Sequence, residues 1–277
     1  MNIDIERYCS SEEVLETMQK KNAFICDMDG VIYHGNRLIP GVKEFIDWMK
    51  QEHKKYLFLT NSSERSQMEL RLKLRRLGLD VEADHFYTSA LATAGFLASQ
   101  VGGGTVYVIG EAGLINALYE VGYTMNDINP DYVVVGESRT YNYETVIKAA
   151  RLVRNGARLI GTNPDLTGPS EMGIVPATGA LILPIARTAG VEPYFIGKPN
   201  PVMMRQALKR LDSTREETAI IGDRMDTDIV SGIESLIDTV LVLSGVSDKE
   251  TPTHFAYRPK LIIDSVKTLV PSIGGMP

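Results

Sequence analysis

The stretch Ala23-Phe24-Ile25-Cys26-Asp27-Met28-Asp29-Gly30-Val31 constrains the fold more than any other. Four apolar residues stop at two carboxylates one residue apart, and a glycine follows. An apolar run of that length between polar boundaries suits a central strand of a parallel sheet, buried on both faces. Open α/β sheets place their ligands beyond the carboxyl ends of such strands, so Asp27 and Asp29 are expected at a crevice. In extended backbone, residues two apart share a face, which lets both carboxylates address one substrate or cation while Met28 points away. Gly30 allows the tight turn that must follow.

The same texture returns along the chain. Lys55–Leu59 is an apolar strand ending at Thr60, Asn61, Ser62 and Ser63, and Ala219–Gly222 is another ending at Asp223-Arg224-Met225-Asp226-Thr227-Asp228. Between Tyr194-Phe195-Ile196 and a helix from Val202 to Leu211, Gly197-Lys198-Pro199 fixes a lysine in a rigid turn, with Asn200 as N-cap and Pro201 in the first helical turn. Helices are expected over Val42–Glu52, with Val42, Phe45, Ile46 and Met49 on one side, and from Glu64 to Leu77 with Gly78 as the C-terminal stop. Ser10 with Glu13 has capping-box spacing before a short amphipathic helix carrying Val14, Leu15 and Met18, and Val31–Gly41 reads as a loop.

A second α/β unit lies between these segments. An Ala-rich helix follows Phe86-Tyr87-Thr88-Ser89, and Gly102-Gly103-Gly104 offers a hinge between modules. Strands at Thr105–Ile109, Asp131–Val135 and Arg158–Gly161 alternate with helices at Gly113–Glu120 and Tyr143–Asn155. Pro176-Ala177-Thr178-Gly179 leads into an apolar helical run ending at Gly190, and late in the chain comes a strand over Thr239–Leu243, then a last helix capped by Asp264. The loops Glu137-Ser138-Arg139-Thr140-Tyr141-Asn142 and Thr162-Asn163-Pro164-Asp165 follow strands and are polar; Tyr141, Tyr143 and Asn163 are candidate pocket residues, with core packing an equal reading for Tyr143.

Composition narrows the class. The 277 residues are 44% hydrophobic and 23% charged with a net charge of −6, and no basic block is present, which argues against a nucleic-acid polymer as partner. No apolar run approaches the roughly 18 residues of a membrane helix. The acidic N-terminus, with Asp4, Glu6, Glu12 and Glu13, is not expected to be a secretory signal. Cys9 and Cys26, the latter inside the buried strand, make no disulfide framework, so a cytoplasmic protein with an inert Cys26 is expected. His34, His53, His85 and His254 lack metal-ligand spacing.

Gathered carboxylates repel unless a cation joins them, and an all-oxygen donor set favours Mg²⁺ over zinc. A cation, a carboxylate nucleophile, a lysine and hydroxyl or amide donors together equip a site for phosphoryl transfer. Asp27 would attack phosphorus, and Asp29 would protonate the leaving oxygen and later deprotonate water. Asp226 reads as an exposed loop acid outside the metal set, and Arg224 as a loop support.

Asp27-Met28-Asp29-Gly30-Val31, Thr60-Asn61, Gly197-Lys198-Pro199 and Gly222-Asp223-Arg224-Met225-Asp226-Thr227-Asp228 resemble, in order, the four motifs of the haloacid dehalogenase superfamily. Thr-Asn-Ser-Ser, Gly-Lys-Pro and Gly-Asp-Arg-x-x-Thr-Asp are similar to its NagD-type branch. The resemblance implies a Rossmann-like core over 1–84 and 195–277, interrupted at 85–194 by an α/β cap that selects substrate. It implies Asp27 as nucleophile, Asp29 as acid/base, Asp27 and Asp223 as Mg²⁺ ligands together with the backbone carbonyl of Asp29, and Asp228 as outer-shell support. Thr60, Asn61 and Lys198 would hold the phosphoryl group, and Asn163 would touch substrate. The implied activity is hydrolysis of small phosphorylated metabolites such as nucleoside monophosphates or sugar phosphates, and the branch is compatible with a homodimer through the cap. Transfer to a sugar alcohol, as in a mutase, uses the same aspartyl-phosphate, and a catalytically idle phosphometabolite-binding module is the reading from another class.

Overall fold

The computed structural model describes residues 11–170 and 173–271. The chain begins with α1 (Glu12–Gln19), β1 (Ala23–Asp27), the short strands β2 (Tyr33–His34) and β3 (Arg37–Leu38), α2 (Val42–Gln51), β4 (Lys55–Thr60) and α3 (Gln67–Arg76). It continues through β5 (Phe86–Thr88), α4 (Ser89–Gln100), β6 (Thr105–Ile109), α5 (Ala112–Glu120), β7 (Thr124–Met125), β8 (Tyr132–Val135), α6 (Tyr143–Arg154) and β9 (Arg158–Gly161). Then come β10 (Thr167–Ser170), β11 (Gly173–Pro176), α7 (Thr178–Ala189), β12 (Tyr194–Phe195) and α8 (Pro201–Leu211). The last elements are β13 (Thr218–Gly222), α9 (Val230–Glu234), β14 (Asp238–Val242) and β15 (Leu261–Ile263). The fold is α/β of Rossmann-like type, and its contacts divide it into two units.

The first unit comprises the residues up to Leu59, Leu77–Leu79 and those from Ala207 on. Its parallel strands follow the order β15-β14-β13-β1-β4. From β1 the chain goes to β4 on one side, and the later strands β13, β14 and β15 build outward on the other. That reversal opens a crevice at the carboxyl ends of β1 and β13, where such sheets bind ligands. Beneath it Phe24, Phe45 and Trp48 pack with ring centroids 5.8–6.0 Å apart. Lys54 Nζ lies 5.0 Å from the Trp48 ring and donates to the carbonyls of Gln19 and Lys21, tying down the end of α1. Burial lowers the Lys54 pKa.

The second unit comprises Thr60–Arg76 and Asp80–Gln206. Its parallel sheet has the order β12-β9-β8-β6-β7, and β10 and β11 form an antiparallel hairpin. The core lies between this sheet and α6 and α7, with Val133, Val135, Ala149, Val153, Leu159, Ile182 and Ile185 buried. Helix α6 starts with a capping box: Thr145 N donates to Asn142 Oδ1 (3.0 Å) and Asn142 N to Thr145 Oγ1 (3.1 Å). Asn142→Ala is expected to cost about 1 kcal/mol, read as a lower denaturant midpoint with an unchanged slope.

Several expectations are corrected. The segment read as a loop over 31–41 contains the β2–β3 hairpin, in which Tyr33 pairs with Leu38 and His34 with Arg37. The last helix is a 3₁₀ turn, Val266–Leu269, flanked by Ser265 rather than capped by Asp264. Gly102–Gly104 lies inside the second unit, between α4 and β6. The first helix is preceded by Ser11, whose hydroxyl accepts from Val14 N at 3.3 Å; Ser10 and Cys9 lie outside the described residues.

Candidate active site

In the first unit, two strand-end carboxylates and one from the turn that follows converge. Asp27 ends β1, Asp223 follows β13, and Asp228 sits in the π-helical turn Met225–Ile229; each offers one oxygen, all within 4.8 Å of one another. Asp223 and Asp228 are buried, and Asp27 is half-buried. At that separation, in a protein-like effective dielectric of about 20, each charged pair repels by about 3 kcal/mol. A divalent cation would offset this, and the purely oxygen donor set fits a hard one.

Backbone donors fix these carboxylates. Val246 N donates to Asp223 Oδ2 at 2.7 Å, and Arg224 N to Asp228 Oδ2 at 3.2 Å. Glycines make the room. A Cβ on Gly30 would lie 2.6 Å from Asp223 Cγ, and one on Gly245 would lie 2.5 Å from the same atom. One on Gly222 would overlap Asp228. The carboxylates therefore sit in slots that a methyl group would fill.

Asp29 lies in the turn after β1, bridged to Tyr33, and its carboxylate is outside the group of three. Asp226 is exposed and pairs with Arg224, with Arg224 Nε donating to Oδ1 (3.0 Å) and Arg224 Nη2 to Oδ2 (2.7 Å). Cys26 is wholly buried, and its pKa is pushed up first by burial and then by the neighbouring Asp27 charge. Among the described residues the converging group contains no histidine.

The second unit carries the remaining sequence-predicted residues. Lys198 is 2% exposed, and its peptide bond to Pro199 is cis. The Asn61 amide grips its main chain: Lys198 N donates to Asn61 Oδ1 (2.8 Å), and Asn61 Nδ2 donates to Lys198 O (3.0 Å) and to Asp165 Oδ2 (2.9 Å). Thr60 Oγ1 accepts from Ser62 N at 3.1 Å. Asn163 is fully buried; its Nδ2 donates to Asn61 O and to Glu137 Oε1, both at 2.7 Å. Tyr141 is half-buried against the core, its hydroxyl donating to Leu181 O at 2.6 Å, and desolvation raises its pKa. Tyr143 stands 76% exposed at the first turn of α6, so it is not a core residue. Sequence reasoning marked the loop containing Glu137 as polar but gave that residue no role; its partners lie 26 and 74 positions away, and only its place at a strand tip signalled it.

A parallel sheet whose order reverses above clustered carboxylates is a Rossmann-like α/β core with a site for a cation and a charged substrate, and comparison with known proteins identifies its family. The chain belongs to the haloacid dehalogenase-like hydrolase family, which matches residues 24–124, with a HAD-hydrolase-like match over residues 195–269. It is 46% identical over 247 residues to the dihydroxyacetone phosphatase of Corynebacterium glutamicum, covering 89% of this chain and 90% of that one. It is 43% identical over 242 residues to the ribonucleotide monophosphatase NagD of Escherichia coli K12, covering 87% and 95%. The solved NagD structure superposes with a TM-score of 0.85 at 42% identity over 90% of this chain and 98% of that chain. For the 4-nitrophenylphosphatase of Thermotoga maritima the values are 0.89 and 32%, over 93% and 99%. The protein is thus a NagD-like phosphatase, a phosphoric monoester hydrolase of a family that generally uses a divalent metal. No helix among the described residues is long and apolar enough to cross a membrane.

Proposed function

We propose that this phosphatase hydrolyses small phosphomonoesters, sugar phosphates or nucleoside monophosphates, in the cytoplasm, with Mg²⁺ as cofactor and through an aspartyl-phosphate on Asp27. The convergence of Asp27, Asp223 and Asp228 at the sheet's switch point carries the reading. Asp27 and Asp223 would hold the ion with the Asp29 backbone carbonyl, and Asp228, fixed by Arg224 N, supports them. The ion's contribution when bound is charge neutralisation at the phosphoryl oxygens.

In the first half-reaction an Asp27 oxygen forms a bond to phosphorus while the bond to the leaving oxygen breaks, and the protonated Asp29 carboxyl gives that oxygen its proton. In the second, the Asp29 carboxylate takes a proton from water as the water oxygen attacks phosphorus, and the Asp27 bond breaks to release phosphate. Lys198 and Thr60 hold phosphoryl oxygens throughout, and Asn61 fixes the Lys198 main chain. Residues 85–194 are read as the substrate-selecting cap, and a homodimer through it belongs to the same proposal.

Phosphate release from a panel of nucleoside monophosphates, sugar phosphates, dihydroxyacetone phosphate and nitrophenyl phosphate tests this. Release should vanish in EDTA and return with Mg²⁺, and the order of kcat/KM should name the substrate class. Undiminished release in EDTA would refute the metal assignment, and transfer to an added sugar alcohol in preference to water would favour a phosphotransferase.

A further inference from the structure

Glu137, half-buried just beyond the end of β8, holds two segments far from it in sequence. Its Oε2 accepts from Ser63 N at 3.0 Å and also from Ser63 Oγ; its Oε1 accepts from Asn163 Nδ2 at 2.7 Å. The second proton of that Asn163 amide goes to Asn61 O (2.7 Å), which also accepts from Ser89 Oγ. Asn163 Oδ1 accepts from Asp165 N at 3.1 Å, so the amide cannot be turned over without losing bonds at both ends. Asn61 in turn grips both the N–H and the C=O of Lys198.

We infer that Glu137 is a positioning residue for Lys198, acting through Asn163 and Asn61. The inference rests on the phosphatase reading above. Two of the three donors aimed at Glu137, Ser63 N–H and the Asn163 amide, cannot become acceptors; only the Ser63 hydroxyl can rotate. The place therefore demands an acceptor at both oxygens, which a carboxylate supplies and a carboxamide does not. Glutamine has the same shape, yet it must turn its NH₂ toward one of those fixed donors. The buried ammonium of Lys198 is carried on a main chain whose grip, Asn61, is held at its own carbonyl by the residue Glu137 orients. Loosening the anchor moves the cation relative to the charge it must meet, and small misplacements of such groups are expensive in rate.

The test is Glu137→Gln in two backgrounds. In the wild type it should lower kcat/KM about thirtyfold and weaken competitive inhibition by inorganic phosphate about tenfold. With Lys198→Met already present, the further loss should shrink below about threefold, because no cation remains to be placed. Equal losses in both backgrounds, or no loss in either, would overturn the proposal. Asn163→Ala should show the same dependence on Lys198, which guards against a folding defect peculiar to Glu137→Gln. Amide exchange at Ser63 and Lys198, followed by NMR, needs no turnover: both should speed up in Glu137→Gln, and unchanged exchange at Lys198 would refute the linkage. Faster exchange at both amides in a protein that hydrolyses no ester would leave the linkage standing and sink the phosphatase reading instead.

Discussion

Asp27→Asn is expected to lower kcat by about 10⁴-fold or more while leaving the protein folded. Asparagine has nearly the volume of aspartate, so the tip of β1 keeps its packing and its pairing with β13 and β4. What is lost is the charge that makes the oxygen a nucleophile, together with one oxygen of the converging set. The stability readout separates these roles. Three carboxylates within 4.8 Å repel one another, and removing one charge relieves two pairs of about 3 kcal/mol each when no cation is bound. In EDTA, the melting temperature of Asp27→Asn should equal or exceed that of the wild type; with Mg²⁺, the wild type should gain more than the variant does. Turnover within tenfold of wild type would remove Asp27 as the nucleophile, and a wild type unaffected by EDTA in both rate and melting would remove the ion as well.

The parts of this molecule that sequence reveals are those whose physics is local. An apolar run ending in acids, as at Ile25-Cys26-Asp27 or Ile221-Gly222-Asp223, announces both a buried parallel strand and the chemistry at its tip, because one stretch of chain supplies both. Helix starts such as Asn200, whose Oδ1 accepts from Val202 N at 2.9 Å, are legible for the same reason. Two-residue strands are not: Tyr33–His34 and Arg37–Leu38 are too short to alternate, and only the Gly35-Asn36 turn between them hints at a hairpin. The β10–β11 hairpin hides behind Gly168 and Pro169, residues that ordinarily argue against a strand. Non-local polar partners leave no spacing to read. Nothing near Glu137 announces Ser63, and nothing near Asn61 announces that its amide is spent on the Lys198 main chain. The membership of the carboxylate group is a similar case. Motif position could mark Asp27 and Asp223 as ligands and Asp228 as their support, but not that the π-helical turn brings the Asp228 carboxylate within 4.8 Å of the other two.

The glycine slots around Asp223 yield the second large effect: Gly30→Ala is expected to reduce kcat/KM at least about a hundredfold and to raise the Mg²⁺ concentration needed for half-maximal rate. Gly30 has φ +79°, a left-handed conformation that costs an alanine about 1–2 kcal/mol. That strain alone would lower stability without touching metal response. The added methyl, however, would sit 2.6 Å from Asp223 Cγ and 3.0 Å from Gly245 Cα, inside van der Waals contact with both. Asp223 cannot step aside cheaply, because Val246 N holds its Oδ2 and Gly245 closes the slot from the other side. The carboxylate must therefore leave the position from which it faces Asp27 and Asp228. Gly35→Ala is the matched control, since Gly35 has φ +54° but nothing within 4 Å of the new Cβ. It should lose about the same stability from the backbone and keep the wild-type Mg²⁺ response. If both variants lose activity in parallel, strain in the turn is the cause and Asp223 is not the group displaced; if Gly30→Ala alone shifts the metal response, the slot is what holds Asp223 in register for the ion.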